Sequence, residues 1–154
     1  DRADAFTLRL SNLYRYVLEV QKVEVVPLET EMKLVSDFLY LNNIRFNDQI
    51  KTTVELNNTN GFVVPMTLQL LLENAIKHNT ISSDAPLHIS IKTEGDAVVV
   101  SNDIQLKREK EPSHELGLNN LRERYAVLTD RPIEIDVTES EFNVRVPLLQ
   151  KQEA

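Results

Sequence analysis

The sequence predicts an α+β fold: a two-layer α/β sandwich with a mixed sheet, preceded by two N-terminal helices. Three observations lead to this prediction. Apolar residues recur at helical spacing through residues 1–45. Strand-like alternation and helical spacing then follow one another along the chain, and two pairs of strands lie close enough in sequence to form hairpins. The strict strand–helix–strand alternation of a doubly wound fold is absent.

The two N-terminal helices are separated by Pro27, which interrupts the helical pattern. Glu29 and Glu31 lie in the first turn of the second helix, where the helix dipole favours acidic side chains. We expect both helices to lie outside the sandwich, as a neck or a partner-facing appendage. The alternative is that the first helix packs onto the chain's own sandwich through its apolar seam. That seam consists of Phe6, Leu10, Leu13, Val17 and Val20.

The remaining elements are predicted in the order strand, helix, two strands, helix, two strands. The first of these helices opens at Val64-Pro65, because proline is tolerated in the first helical turn. Gly95 marks the turn of the first hairpin, and Gly117 precedes the last helix. We divide the chain into residues 1–47, the helical region, and residues 48–150, the sandwich.

The composition excludes several classes of function. The chain has 154 residues with 17 Lys+Arg against 24 Asp+Glu, a net charge of -7 that argues against a nucleic-acid interface. It has no cysteine, which excludes thiol catalysis and cysteine-based metal sites. No apolar run approaches the roughly 18 to 20 residues that span a bilayer. Because the chain begins with Asp1 rather than Met, we expect it to be a piece of a longer protein.

One predicted helix carries an informative set of polar residues. Asn74, Lys77 and His78 have the i, i+3, i+4 spacing that places them on one helix face. An amide oxygen is a hard donor for Mg²⁺, which takes few protein ligands, and the two basic side chains can donate to phosphate oxygens. This pattern suits a metal-bound polyphosphate. The alternative is structural: Glu73 and Lys77 form a surface i, i+4 pair, and His78 ends the helix.

Six segments from residue 10 to residue 125 carry a family resemblance. They are LSNLYRYVL (10–18), VPLETE (26–31), YLNNIRF (40–46), Val64-Pro65, ENAIKH (73–78) and GLNNLRERY (117–125). The fifth segment resembles the N-box and the sixth the second glycine box of the GHKL ATP-binding fold, also called the Bergerat fold. Taken together and in this order, the segments resemble the LytS/YpdA-type sensor histidine kinases of two-component systems.

The resemblance implies an ATP-binding catalytic domain under a mobile lid, the loop 103–116, with ATP and Mg²⁺ as ligands. Asn74 would hold Mg²⁺, Lys77 and His78 would face the phosphates, and Glu73 would orient or activate the attacking group. Arg124 also matches the second glycine box, although it is equally consistent with a structural role. The remaining nucleotide-binding residues implied by the resemblance are Asn102, Asp103, Gly117, Leu118 and Asn120.

The chain also departs from the family pattern. Asn102 stands where the first glycine box has its adenine-reading aspartate, and both glycines of that box are missing. An amide accepts a hydrogen bond more weakly than a carboxylate, so the neighbouring Asp103 is a candidate substitute. Glu115 stands where the second box has its first glycine. These changes favour the alternative of a degenerate pseudokinase, a dimerisation and partner-docking module with weak or no ATP binding.

The resemblance further implies the partners. The γ-phosphoryl group would pass to a histidine upstream of residue 1 and then to a response regulator of the LytTR type. The parent would be a homodimeric protein of the bacterial inner membrane, and this chain would be one of its cytoplasmic domains. Only a sensor region, absent from this chain, would contact the membrane. None of His78, His88 and His114 matches the phosphoacceptor, so we do not expect the chain to autophosphorylate on its own. We expect His88 to face solvent. A further alternative is another GHKL ATPase, such as an anti-sigma serine kinase.

Overall fold

The computed structural model describes residues 1–105 and 114–150, except for the side chains of residues 114–116. Helices and strands alternate irregularly along these residues. The helices are α1 (Arg2–Glu19), α2 (Leu28–Arg45), α3 (Thr67–His78) and α4 (His114–Leu128). The strands are β1 (Val26–Pro27), β2 (Ile50–Glu55), β3 (Phe62–Val63), β4 (Leu87–Glu94), β5 (Ala97–Asp103), β6 (Glu134–Val137) and β7 (Glu141–Pro147).

Five of these strands form a mixed sheet in the order β2-β4-β5-β7-β6. Strand β2 runs parallel to β4, while the other neighbouring pairs are antiparallel. Both predicted hairpins are present, and Gly95 at the first turn has a φ of 56°, a left-handed conformation that glycine adopts at little cost. The predicted α+β fold with a mixed sheet is therefore confirmed.

The core lies between one face of the sheet and the helices. Along β4, buried Leu87, Ile89 and Ile91 alternate with more exposed residues, as expected for a strand with one covered face. From α3, Leu68 and Leu72 are fully buried in the same cluster. This packing fixes α3 on the sheet, so its polar residues are presented at a defined place.

Helix α2 is part of this core. Its residues Leu28, Val35 and Phe38 are buried in the main cluster, so the expectation that both N-terminal helices lie outside the sandwich is wrong for α2. The apolar stripe of α2 is wide, and a wide stripe requires a broad partner surface. The sequence division at residues 47 and 48 therefore does not coincide with the edge of the core, and as a functional division it stays a prediction.

Helix α1 contains no fully buried residue. It packs against α2, where Nη1 of Arg9 lies 2.9 Å from Oδ1 of Asp37. Of its predicted seam, Leu13 packs against the core, whereas Phe6 and Val17 remain exposed. One edge of the seam therefore packs onto this chain, as the second interpretation expected, and the other edge is exposed. That the exposed edge faces a partner stays a prediction.

Two helix starts differ from the sequence prediction. Helix α3 begins at Thr67 rather than at Pro65, because Met66 adopts a left-handed conformation with φ of 70°. Helix α4 begins at His114, so Gly117 lies inside the helix and does not precede it. A glycine within a helix lowers its stability by only about 1 kcal/mol relative to alanine, so favourable neighbouring residues allow the helix to continue across Gly117.

Gly61 is expected to be intolerant of any side chain. A Cβ atom at this position would lie 2.5 Å from Cβ of Leu148, which is fixed to the backbone and cannot rotate away. We expect Gly61→Ala to lower the free energy of unfolding by about 1–3 kcal/mol, as overpacked cores do. Urea denaturation measures this change. The exposed neighbour gives the control Asn60→Ala, for which a change within about 0.5 kcal/mol is expected. Equal effects of the two substitutions would contradict the close approach.

Candidate functional site

A cavity of about 200 Å³ opens between α3, the ends of the central strands and α4. Its walls are largely apolar with a few polar groups, the usual character of a small-molecule site. The residues that line it are Asn74, Ala75, His78, Asn79, Asn102, Ile104, Leu118, Val137 and Phe142. The structure therefore brings together four of the residues predicted from the sequence, which come from three separate segments: Asn74, His78, Asn102 and Leu118.

Asn74 and His78 reach the cavity from successive turns of α3. The buried side chains on the other side of the helix, among them Leu72 and Ile76, hold this face toward the cavity. The Nδ2 atom of Asn74 is buried and has no hydrogen-bond partner among the residues that the structure describes. A buried polar atom without a partner is costly, so the amide is available for a ligand in the cavity.

Asn102 reaches the cavity from β5, where the register places it between Ile89 and Phe142. Its side chain is buried, and Nδ2 donates a hydrogen bond of 2.8 Å to the carbonyl oxygen of Asp103. This hydrogen bond uses one of the two N–H donors of the amide, and Oδ1 is an acceptor that Asn102 can offer to a ligand. Asn102 thus contributes an acceptor beside the apolar walls of the cavity.

Asp103 does not line the cavity. Adjacent residues of a strand face opposite sides of the sheet, and Asp103 faces the solvent side. There its Oδ2 lies 2.9 Å from Nδ1 of His88, whose side chain is 61% exposed. The prediction that His88 faces solvent is confirmed. The proposed role of Asp103 as a substitute for Asn102 has no support from this placement.

Glu73 and Lys77 are exposed and lie beside the cavity rather than in its wall. Oε1 of Glu73 accepts a hydrogen bond of 2.9 Å from Nε2 of Gln69, one helical turn earlier. Both side chains are therefore accessible to a molecule that binds outside the cavity, and neither side chain is part of the cavity wall.

Gly117 and Asn120 lie on a different side of α4 from Leu118. They line a separate hollow together with Met66 and Arg124, between α4 and the start of α3. A Cβ atom on Gly117 would lie 3.1 Å from Cδ1 of Leu70, so this glycine permits the two helices to approach closely. Most of the predicted lid and the side chain of Glu115 lie outside the described residues.

Asn79 is a residue of the cavity wall that the sequence reasoning did not select as a site. Its Nδ2 donates to the carbonyl oxygen of Ala75 at 2.7 Å, and its Oδ1 accepts from the backbone N–H of Gln105 at 2.6 Å. It thereby joins the end of α3 to the segment that leaves β5. An asparagine directly after a helix was the available signal, since this residue type commonly ends helices.

The start of α3 is held by a buried carboxylate that the sequence reasoning placed only in the first turn of α2. Glu31 is fully buried and accepts hydrogen bonds from the backbone N–H groups of Met66 at 3.2 Å and Leu68 at 3.4 Å. It also accepts one from the hydroxyl of Tyr16. Burial raises the pKa of Glu31, and these hydrogen bonds oppose the rise. Burial and the nearby carboxylate likewise raise the pKa of Tyr16.

On the opposite side, the start of α3 contacts α4. The hydroxyl of the buried Tyr125 accepts a hydrogen bond of 3.0 Å from the backbone N–H of Val64 and lies 3.4 Å from Oγ1 of Thr67. Burial raises the pKa of Tyr125 to about 12, so its hydroxyl stays protonated. The start of α3 is thus held by hydrogen bonds to Glu31 of α2 and Tyr125 of α4, and α1 is linked to it through Glu31.

Sequence comparison agrees with this geometry. Residues 1–50 match the family model described as histidine kinase. The sensor protein kinase HptS of Staphylococcus aureus is 30% identical over 123 residues, which cover 77% of this chain and 24% of HptS. The sensor protein LytS of Staphylococcus saprophyticus is 31% identical over 80 residues, covering 51% of this chain and 14% of LytS. The chain belongs to the sensor histidine kinases.

Solved structures show the same fold for this histidine kinase chain. The cytoplasmic segment of histidine kinase QseC matches with a TM-score of 0.56 and 21% identity, over 97% of this chain and 94% of that one. The catalytic domain of histidine kinase ThkA matches with a TM-score of 0.53 and 18% identity, over 81% and 95%. The fold expected from the family resemblance is therefore confirmed.

Two further findings concern metal-binding clusters and membrane-spanning helices. Among residues 1–105 and 114–150, no group of three or more His, Asp or Glu side chains could hold a metal ion. Within the same residues, no helix is long and apolar enough to cross a bilayer.

Proposed function

We propose that this chain binds ATP with Mg²⁺ and provides the catalytic domain that transfers the γ-phosphoryl group to a histidine outside it. One observation carries the proposal: Asn74, His78 and Asn102 converge on one partly enclosed cavity in a histidine kinase fold. The chain spans 24% or less of the length of the sensor kinases reported above, so the activity of the whole protein is part of this proposal.

The adenine base fits the apolar part of the cavity. Ile104, Val137 and Phe142 offer flat or aliphatic surfaces against which a base can pack. The Oδ1 atom of Asn102 is the acceptor for the exocyclic amine of adenine. An amide accepts this hydrogen bond less strongly than a carboxylate does, so we expect moderate rather than tight affinity.

The phosphates fit the polar end of the cavity. Asn74 would hold Mg²⁺ through its amide oxygen, and Lys77 and His78 would donate hydrogen bonds to phosphate oxygens. When bound, Mg²⁺ would neutralise part of the negative charge on the phosphates. The protein's own contribution is to position the phosphates and to supply donors in a partly enclosed site.

Glu73 is the residue that we propose contacts the incoming histidine, because it is exposed and directly precedes Asn74. In the transfer, the bond between the γ-phosphorus and the bridging oxygen of ADP breaks, and a phosphorus–nitrogen bond to the imidazole forms. The carboxylate of Glu73 would orient the imidazole and accept the proton that its nitrogen loses. The phosphoryl group would then pass to a response regulator, which we propose is of the LytTR type.

Residues 1–47 are proposed to be the end of the dimerisation helix region and its linker, within a homodimeric parent. The match of residues 1–50 to the histidine kinase model supports this proposal. So does the apolar surface that α1 leaves exposed, which includes Phe6, Tyr14 and Leu18. In the parent, this chain would be a cytoplasmic domain beside a membrane-embedded sensor region.

Calorimetric titration of the chain with ATP, with and without Mg²⁺, tests the proposal. We expect a Kd between about 1 μM and 1 mM in the presence of Mg²⁺, the range common for enzyme substrates, and weaker binding after EDTA treatment. Circular dichroism on the same sample confirms that the chain is folded. A folded chain that releases no heat with ATP would contradict the proposal and favour the pseudokinase alternative.

A further inference from the structure

The residues around the start of α3 form a junction between helices. We call residues 64–68 the α3 junction. The N–H groups at the start of a helix have no partner within the helix, and Met66 provides no side-chain cap. Glu31 supplies the missing acceptor from α2, and its negative charge also suits the positive end of the helix dipole.

The same carboxylate is the point at which α1 reaches the α3 junction. Tyr16 donates its hydroxyl hydrogen to Oε2 of Glu31, the atom that also accepts from the N–H of Met66. Because α1 has no fully buried residue, its position depends on surface packing against α2 and on polar contacts such as this one. A displacement of α1 would therefore change the set of donors around a fully buried carboxylate.

A change at the α3 junction would reach the cavity. Asn74 and His78 lie on the helix that starts at the junction, and Leu118 lies on α4, which contacts the junction through Tyr125. The junction thus contacts α4 and leads into α3, the two helices that contribute these residues to the cavity wall. Buried hydrogen-bonded groups of this kind have few alternative arrangements. When one donor is lost, the neighbouring side chains therefore cannot compensate, and α3 itself shifts.

We propose that Glu31 is a positioning residue that couples α1 to the nucleotide site through Tyr16 and the α3 junction. The nucleotide part of this inference rests on the proposed function, whereas the link between α1 and α3 does not. Coupling of this kind is reciprocal: if the position of α1 changes nucleotide affinity, nucleotide binding must change the stability of α1 by the same factor.

The first test needs no nucleotide. Amide hydrogen exchange is compared for Tyr16→Phe and for Tyr14→Phe, which makes the same change on the same helix at a residue that is 65% exposed. We expect Tyr16→Phe to speed exchange about 5-fold or more in α1 and also at the amides of Met66 and Leu68, in line with typical coupling energies. Tyr14→Phe should leave both regions unchanged. Faster exchange in α1 alone would overturn the link.

A second pair of variants tests the carboxylate itself. Glu31→Gln keeps the size of the side chain and removes its charge, and the exposed Glu29→Gln is the matched control in the same helical turn. We expect only Glu31→Gln to speed exchange at both α1 and the α3 junction. If Glu31→Gln fails to fold, the tyrosine pair still decides the question, because Tyr16→Phe leaves the carboxylate in place.

The nucleotide part is tested by titrating the tyrosine variants with ATP and Mg²⁺. Tyr16 does not line the cavity, so a purely structural role predicts an unchanged Kd in a folded variant. Coupling predicts a Kd about 5-fold or more higher for Tyr16→Phe and unchanged for Tyr14→Phe. If the wild-type chain binds and both variants bind equally, the coupling is overturned. If the wild-type chain does not bind, the proposed function fails, and the exchange experiment alone decides the link.

Discussion

Leu72→Ala is expected to lower the free energy of unfolding by about 2–5 kcal/mol, the cost of removing a fully buried leucine from a core. Leu72 is 0% exposed and lies on α3 within the main cluster of buried residues. The cost combines lost burial with the cavity that remains, because the sheet and α2 can collapse only partly. A domain of this size is stabilised by roughly 5–15 kcal/mol, so the loss is a large fraction of the total.

Urea denaturation followed by circular dichroism measures this loss. The matched control is Leu18→Ala, because Leu18 is 69% exposed on α1, and a change within about 0.5 kcal/mol is expected there. The slope of unfolding against urea should stay the same in both variants. A loss below about 1 kcal/mol for Leu72→Ala would show that α3 is not packed on the sheet as described.

Asn74→Ala is expected to weaken the binding of ATP with Mg²⁺ by about 10- to 150-fold. This range follows from the roughly 1.5–3 kcal/mol that a polar contact to a charged group contributes. The amide nitrogen of Asn74 has no hydrogen-bond partner in the described part of the chain, so its removal deprives no acceptor there of a donor. We therefore expect binding to weaken while the thermal midpoint stays nearly unchanged.

The matched control for this variant is Gln69→Ala on the same helix, at a position that does not line the cavity. Calorimetry with and without Mg²⁺ separates the metal contribution from the rest. The difference between wild type and Asn74→Ala should shrink when Mg²⁺ is removed by EDTA. Equal affinities of wild type and Asn74→Ala in the presence of Mg²⁺ would contradict the assignment of Asn74 as the metal ligand.

Much of the fold could be predicted because hydrophobic periodicity reports on burial. The alternation of Leu87, Ile89 and Ile91 predicted β4, and helical spacing predicted α3. Periodicity could not predict β1 and β3, because each has two residues and their pairing depends on distant partners. It also could not tell whether the wide stripe of α2 packs on this chain or on another one.

The site was predicted in part for similar reasons. Asn74 and His78 share a helix face, and this spacing is readable in the sequence. The convergence of Asn102 on the same cavity depends on the sheet order, which spacing does not give. The opposite orientation of Asp103 was within reach, since adjacent strand residues face opposite sides. The roles of Asn79 and Glu31 arise from contacts over 26 and 35 residues, which no local pattern reveals.

The opposite orientations of Asn102 and Asp103 make the exposed face of the sheet useful for an optical reporter. Position 88 lies on β4 across from Asp103, and the strand neighbour of Asp103 on β5, Asn102, lines the cavity. Because the chain has no cysteine, His88→Cys would carry the only thiol and could be labelled with a single dye. Such a label would follow occupancy of the cavity through changes in β5 while leaving every lining residue unaltered.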